Sequence, residues 1–157
     1  MFDQDMVPHG VALGMSISGL VCALVGLASP FWNVHVDGER WGLWRGCLPR
    51  GCQALWSTSV TDTLQAGRTL ITIGLVGQIL LTVLFVVFIV LKRDRRIIVG
   101  GIALSCVTAC CSMFGPLLWL SSANLSVSWA FYVSYVSGIL MAALGGVLLY
   151  IYKRDEV

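Results

Sequence analysis

The side chains with most scope for chemistry are six cysteines, and their surroundings differ sharply. Cys47 and Cys52 fall in the run Trp41-Gly42-Leu43-Trp44-Arg45-Gly46-Cys47-Leu48-Pro49-Arg50-Gly51-Cys52, among aromatics and glycines. Cys22, Cys106, Cys110 and Cys111 lie instead in long apolar stretches. Cys106 and Cys110 share a helix face at a spacing that offers half of a tetrahedral metal site, but no His, Asp or Glu stands near to complete four ligands. The four are expected to pack as buried small apolar residues, too deep for lipidation, which needs a juxtamembrane thiol. His35 reads as a solvated residue on a strand edge. No nucleophile with a base, metal set or phosphate loop is present, so the chain is expected not to be an enzyme and to need no cofactor. No nucleic-acid partner is expected.

The elements that must position these residues are membrane spans. Hydrophobic residues make up 57% of the chain and charged residues 11%, far from the roughly 25% charge of soluble domains. Four apolar runs, about 10–29, 69–91, 97–120 and 130–152, each approach the ~20 residues that cross a bilayer as a helix. They predict a single tetraspan domain, an all-α four-helix membrane bundle over residues 1–157. The first run has an acidic approach and a long apolar core, which favours an uncleaved helix over a signal peptide despite small residues at Gly26-Leu27-Ala28.

Lys92, Arg93, Arg95 and Arg96 crowd the link between the second and third runs, and Lys153 and Arg154 follow the fourth. The positive-inside bias then predicts both termini in the cytosol, with the loop at about 30–68 and the short link at about 121–129 outside. Paired cysteines in the loop suit an oxidising compartment. Gly10, Gly14 and Ser18, and likewise Gly138, Ala142 and Gly146, have the spacing that lets helices pack closely in lipid. Gln78 is expected to form an interhelical hydrogen bond. Pro116 is expected to kink or loosen the third helix. Phe31, Trp32, Trp119, Trp129, Tyr150 and Tyr152 fall at span ends, as interfacial anchors do. No charge lies inside a run, which argues against an ion carrier.

Within the first loop, Trp32, Val34 and Val36 alternate with Asn33, His35 and Asp37. Asp37-Gly38 marks a turn, and Trp41, Leu43 and Arg45 resume the alternation, so a small antiparallel sheet is expected. Leu48-Pro49-Arg50-Gly51 is a second turn, which presents Cys47 to Cys52. If the two bond, the closed loop contributes about 2 kcal/mol by restricting the unfolded chain; two free thiols are the alternative.

Pro30-Phe31-Trp32, Gly42-Leu43-Trp44, Cys47, Cys52 and Leu64-Gln65-Ala66-Gly67-Arg68 together resemble the signature of the claudin superfamily, which includes claudins, peripheral myelin and epithelial membrane proteins, and the lens fibre membrane protein. The resemblance covers nearly the whole chain, with Ser128-Trp129-Ala130-Phe131-Tyr132 similar to the approach to the fourth span. It implies a left-handed bundle capped by an extracellular sheet, a Cys47–Cys52 disulfide, and a place at cell–cell contacts in the plasma membrane. The cysteine spacing is closer than in most claudins and more like the lens and epithelial members. The third link is also shorter than in claudins.

Two functions follow from the resemblance. One is a junction component that associates laterally with itself or with other claudin-like proteins, forming a paracellular barrier or ion pore. The other is a tetraspan accessory protein of a channel, receptor or adhesion partner. In the first case Gln53 and Asp62 are candidate pore-lining residues, and from Phe31 to Gly67 three acids (Asp37, Glu39, Asp62) balance three bases (Arg40, Arg45, Arg50). Arg68 is expected to brace the loop against the bundle. Asp155-Glu156-Val157 is a candidate ligand for a cytosolic PDZ-type scaffold that captures a C-terminal carboxylate. Asn124-Leu125-Ser126 is a candidate glycosylation sequon, and the basic link between the second and third runs is expected to touch anionic lipid.

Overall fold

The apolar runs fold as four helices: α1 (Met6–Ala28), α2 (Asp62–Val90), α3 (Arg95–Ser122) and α4 (Trp129–Arg154). A computed structural model describes residues 6–34, 38–48, 50–54, 61–90, 95–122 and 127–154. Each helix is long and apolar enough to cross a bilayer. They pack cyclically, each against its neighbours in sequence and α1 against α4, and the short α2–α3 and α3–α4 connections favour such pairing of neighbours.

The helices differ in extent from the predicted runs. α1 begins at Met6, and α3 and α4 overrun the boundaries at 97–120 and 130–152. The largest difference is in α2, which starts at Asp62 instead of residue 69. Hydropathy marks only the part of a helix suited to lipid. Leu64, Gln65 and Ala66 are good helix formers, and the Asp62 carboxylate complements the positive end of the helix dipole. At ~1.5 Å per residue, α2 is about 43 Å long against a ~30 Å hydrocarbon core. The surplus lies at the end carrying Asp62 and Arg68, the only charged residues of this helix.

Much of the loop forms a four-stranded antiparallel sheet in the order β1 (Asn33–Val34), β2 (Arg40–Trp41), β3 (Arg45–Leu48), β4 (Gly51–Ala54). The predicted alternation is out of phase in β1, where Asn33 is buried and Val34 exposed. His35 and Asp37, Pro49, the sequon Asn124 and the C-terminal Asp155-Glu156-Val157 lie outside the described residues. The sheet sits where α1 and α3 end and α2 and α4 begin. An isolated bridge from Asn33 to Val127 ties it to the approach to α4.

Two cores result. Under the sheet, Trp32, Leu43, Ile71, Trp119, Ala130 and Phe131 are buried together. Further along, Ala12, Leu81, Phe85, Phe88, Met141 and Leu144 belong to the bundle core. At the far end His9 stacks on Phe88 with ring centroids 5.9 Å apart, and Arg95 donates to the Tyr152 hydroxyl at 2.7 Å.

The small-residue faces differ from expectation. Gly10, Gly14 and Ser18 point out of the bundle, and a Cβ at either glycine would meet nothing within 4 Å. In α4 the expected face is split: Gly138 lies against Met113 and Ser112, whereas Ala142 and Gly146 face outward. Spacing identifies a smooth helix face but not the direction in which it points. A close backbone approach joins α2 to α3, where a Cβ on Gly67 would sit 3.0 Å from the Gly115 carbonyl oxygen. Pro116 is fully buried within α3, which continues through it.

Candidate functional site

Trp32 is the centre of the sheet end. It is completely buried, and its indole N–H donates to the Gly26 carbonyl of α1 at 2.7 Å. An indole N–H sequestered from water needs such a partner. Its ring meets Trp119 of α3 edge-on at 5.3 Å and Phe131 of α4 at 6.2 Å. Its backbone N–H donates to Trp41 O (3.1 Å), and its carbonyl accepts from Ser128 N–H (3.0 Å). One residue therefore joins α1, α3, α4 and the sheet. Trp119 is thus core and not an interfacial anchor, and the same holds for Trp32. Trp129 and Tyr150 are exposed at helix ends, as anchors should be.

Gly42-Leu43-Trp44 forms the second fastening. A Cβ on Gly42 would lie 2.7 Å from Pro30 Cα and 2.8 Å from Ser29 O, so only glycine lets the chain cross the exit of α1 this closely. Leu43 is then driven fully into the core beneath. Trp44 stays 44% exposed, with the Arg68 guanidinium 5.5 Å from its ring centroid. Arg68, 3% exposed, thereby links α2 to the sheet, the bracing geometry expected of it. Gly42 N–H donates to Arg45 O at 2.8 Å and closes the turn between β2 and β3.

The β3–β4 hairpin carries the Cys47–Cys52 disulfide, with the two residues directly opposite each other in the ladder. Gly51 turns with φ at +149°, a conformation that favours glycine. All four residues of β4 are exposed, including Gln53, which pairs with Gly46. Asp62 is exposed on the first turn of α2.

Gln78 makes the interhelical contact foreseen for it, within a larger network. Its amide N–H groups donate to Ser137 Oγ of α4 at 2.6 Å and Ser112 Oγ of α3 at 3.3 Å. Ser137 Oγ in turn donates to the Gly19 carbonyl of α1 at 3.0 Å. Nearby, Ser16 and Thr82 hydroxyls lie 2.7 Å apart. All four helices meet in this polar layer. Its serines and threonine escape sequence analysis because such residues are common in membrane helices; the need of a buried carboxamide for partners is the signal that could have found them.

The remaining cysteines depart from expectation. Cys106 and Cys110 are exposed on the outer face of α3, and Cys22 and Cys111 are partly buried. In a helix surrounded by lipid, a small apolar side chain gains nothing by pointing inward. Among the described residues no group of three or more His, Cys, Asp or Glu is placed to hold a metal ion.

No family model matches the chain, and no curated protein matches it.

Proposed function

We propose that the chain is a claudin-like cell-junction protein of the plasma membrane, a left-handed tetraspan bundle with its sheet outside the cell and both termini in the cytosol. It associates laterally with its own copies, and with other claudin-like proteins, into a paracellular barrier or ion pore. The observation that supports this is the convergence of Trp32, Gly42-Leu43-Trp44, the Cys47–Cys52 disulfide and Arg68 in one cap. That cap joins the exposed hairpin to the end of the bundle through β2. Gln53 and Asp62 are the candidate pore-lining positions, and the neutral Gln53 implies weak charge preference. A PDZ-type scaffold is the proposed cytosolic partner of Asp155-Glu156-Val157.

The test is expression in a claudin-poor epithelial monolayer. Continuous strands in freeze-fracture replicas and altered transepithelial resistance are expected. Unchanged resistance with full surface delivery and no strands contradicts the proposal.

One observation favours the accessory reading. The α3–α4 link is short and tied down at its end, by the Asn33–Val127 bridge and the Ser128-to-Trp32 hydrogen bond. Little of it is left to grip an opposing cell. Crosslinking in native membranes separates the readings: a constant heterologous partner supports an accessory subunit, and recovery of homo-oligomers alone counts against it.

A further inference from the structure

Between the exit of α1 and the β3–β4 hairpin lies an open cleft of about 480 Å³, within the range of small-ligand sites. Leu27, Ala28 and Pro30 form one wall, Trp44 and the Cys47–Cys52 disulfide the other, and Arg45 is the charged residue among the described residues that line it. Arg45 and Trp44 are both exposed. α1 spans Met6–Ala28, about 34 Å at ~1.5 Å per residue, which brings Ala28 to within a few Å of the hydrocarbon boundary. Below the cleft, Val21, Leu24, Val25 and Ala28 are exposed along α1. An apolar strip suited to an acyl chain thus rises into a cleft with a guanidinium and an indole at headgroup level.

We infer that this cleft seats a single phospholipid of the leaflet at the sheet end. Its phosphate lies against Arg45, its glycerol carbons on Leu27, Pro30 and Trp44, and one acyl chain along the α1 strip. The lipid's charge decides between candidate occupants. A guanidinium stays ionised and matches a phosphate in a bidentate manner, whereas the single hydroxyl of a sterol offers it a weaker neutral partner. Trp44 suits the interface because an indole pairs an apolar body with a polar edge. The inference requires only that the helices cross a bilayer and does not rest on a junctional role, so failure of one leaves the other standing.

The test uses the full chain, purified in mild detergent and examined by native mass spectrometry after addition of phosphatidylcholine, cholesterol or soluble phosphocholine. The wild type is expected to retain one phosphatidylcholine per chain. Arg45→Gln should weaken retention about tenfold, the effect of losing a charge-assisted hydrogen bond. Ala28→Phe should also weaken it, by filling the cleft without altering charge. Arg50→Gln, at the hairpin turn and outside the lining, should leave it unchanged. An intact disulfide and an unshifted melting temperature certify each variant as folded. Equal retention by all variants overturns the inference. So does displacement by cholesterol with Arg45→Gln unaffected, full occupancy by phosphocholine alone, or a dimer of the chain in place of the lipid adduct.

Discussion

In the first part of the sheet region side chains point down: Trp32 and Leu43 are fully buried and Asn33 nearly so. In β4 every residue is exposed. One region is fastened to three helices through the Trp32 indole and backbone. The other is held by a ladder and one disulfide. The residues of the motif therefore fix where the sheet stands, while β4 presents its residues outward. A motif of the first kind can identify an architecture and remain silent on selectivity or partner.

The comparison breaks most visibly at Trp32. Trp32→Ala removes a fully buried indole and leaves the Gly26 carbonyl without its donor. A loss of about 3–5 kcal/mol is expected, read as a fall in melting temperature and poor surface delivery. Gly42→Ala forces a Cβ against Pro30 and Ser29 O, and about 3 kcal/mol is expected from the overpacking. The disulfide comes next: the double change Cys47→Ser with Cys52→Ser should cost about 2 kcal/mol. Hydrogen exchange should then rise in β3 and β4 and stay unchanged at Trp32. Equal loosening of both regions would erase the distinction between them. Smallest is Gln53→Ala, expected within about 0.5 kcal/mol of wild type in denaturation, as an exposed strand position allows.

Legibility in the sequence followed the same division. Trp32, Gly42, Leu43 and Trp44 stand out because a polar loop in an apolar chain has little other reason to hold them. Trp119 escapes, since a tryptophan near a helix end looks the same whether it sits at headgroup level or beneath a cap. The helix runs are legible because lipid demands them, but the extra turns of α2 ahead of Thr69 are not, because beyond the hydrocarbon the helix no longer needs to be apolar. Gly10, Gly14 and Ser18 have the spacing of a packing face and point away from the bundle, because rotation about a helix axis is set by neighbours that local sequence does not contain. Gln78 is legible as a residue that needs a partner, but Ser112 and Ser137 emerge only once the helices meet.

The claim that the cap positions and the exposed hairpin works is tested most directly by dilution potentials across a claudin-poor epithelial monolayer expressing wild type or Gln53→Lys. Weak preference between sodium and chloride is predicted for the wild type, and a shift toward chloride for Gln53→Lys at equal surface density and unchanged melting temperature. Identical dilution potentials for the two, matching those of untransfected cells, would contradict it.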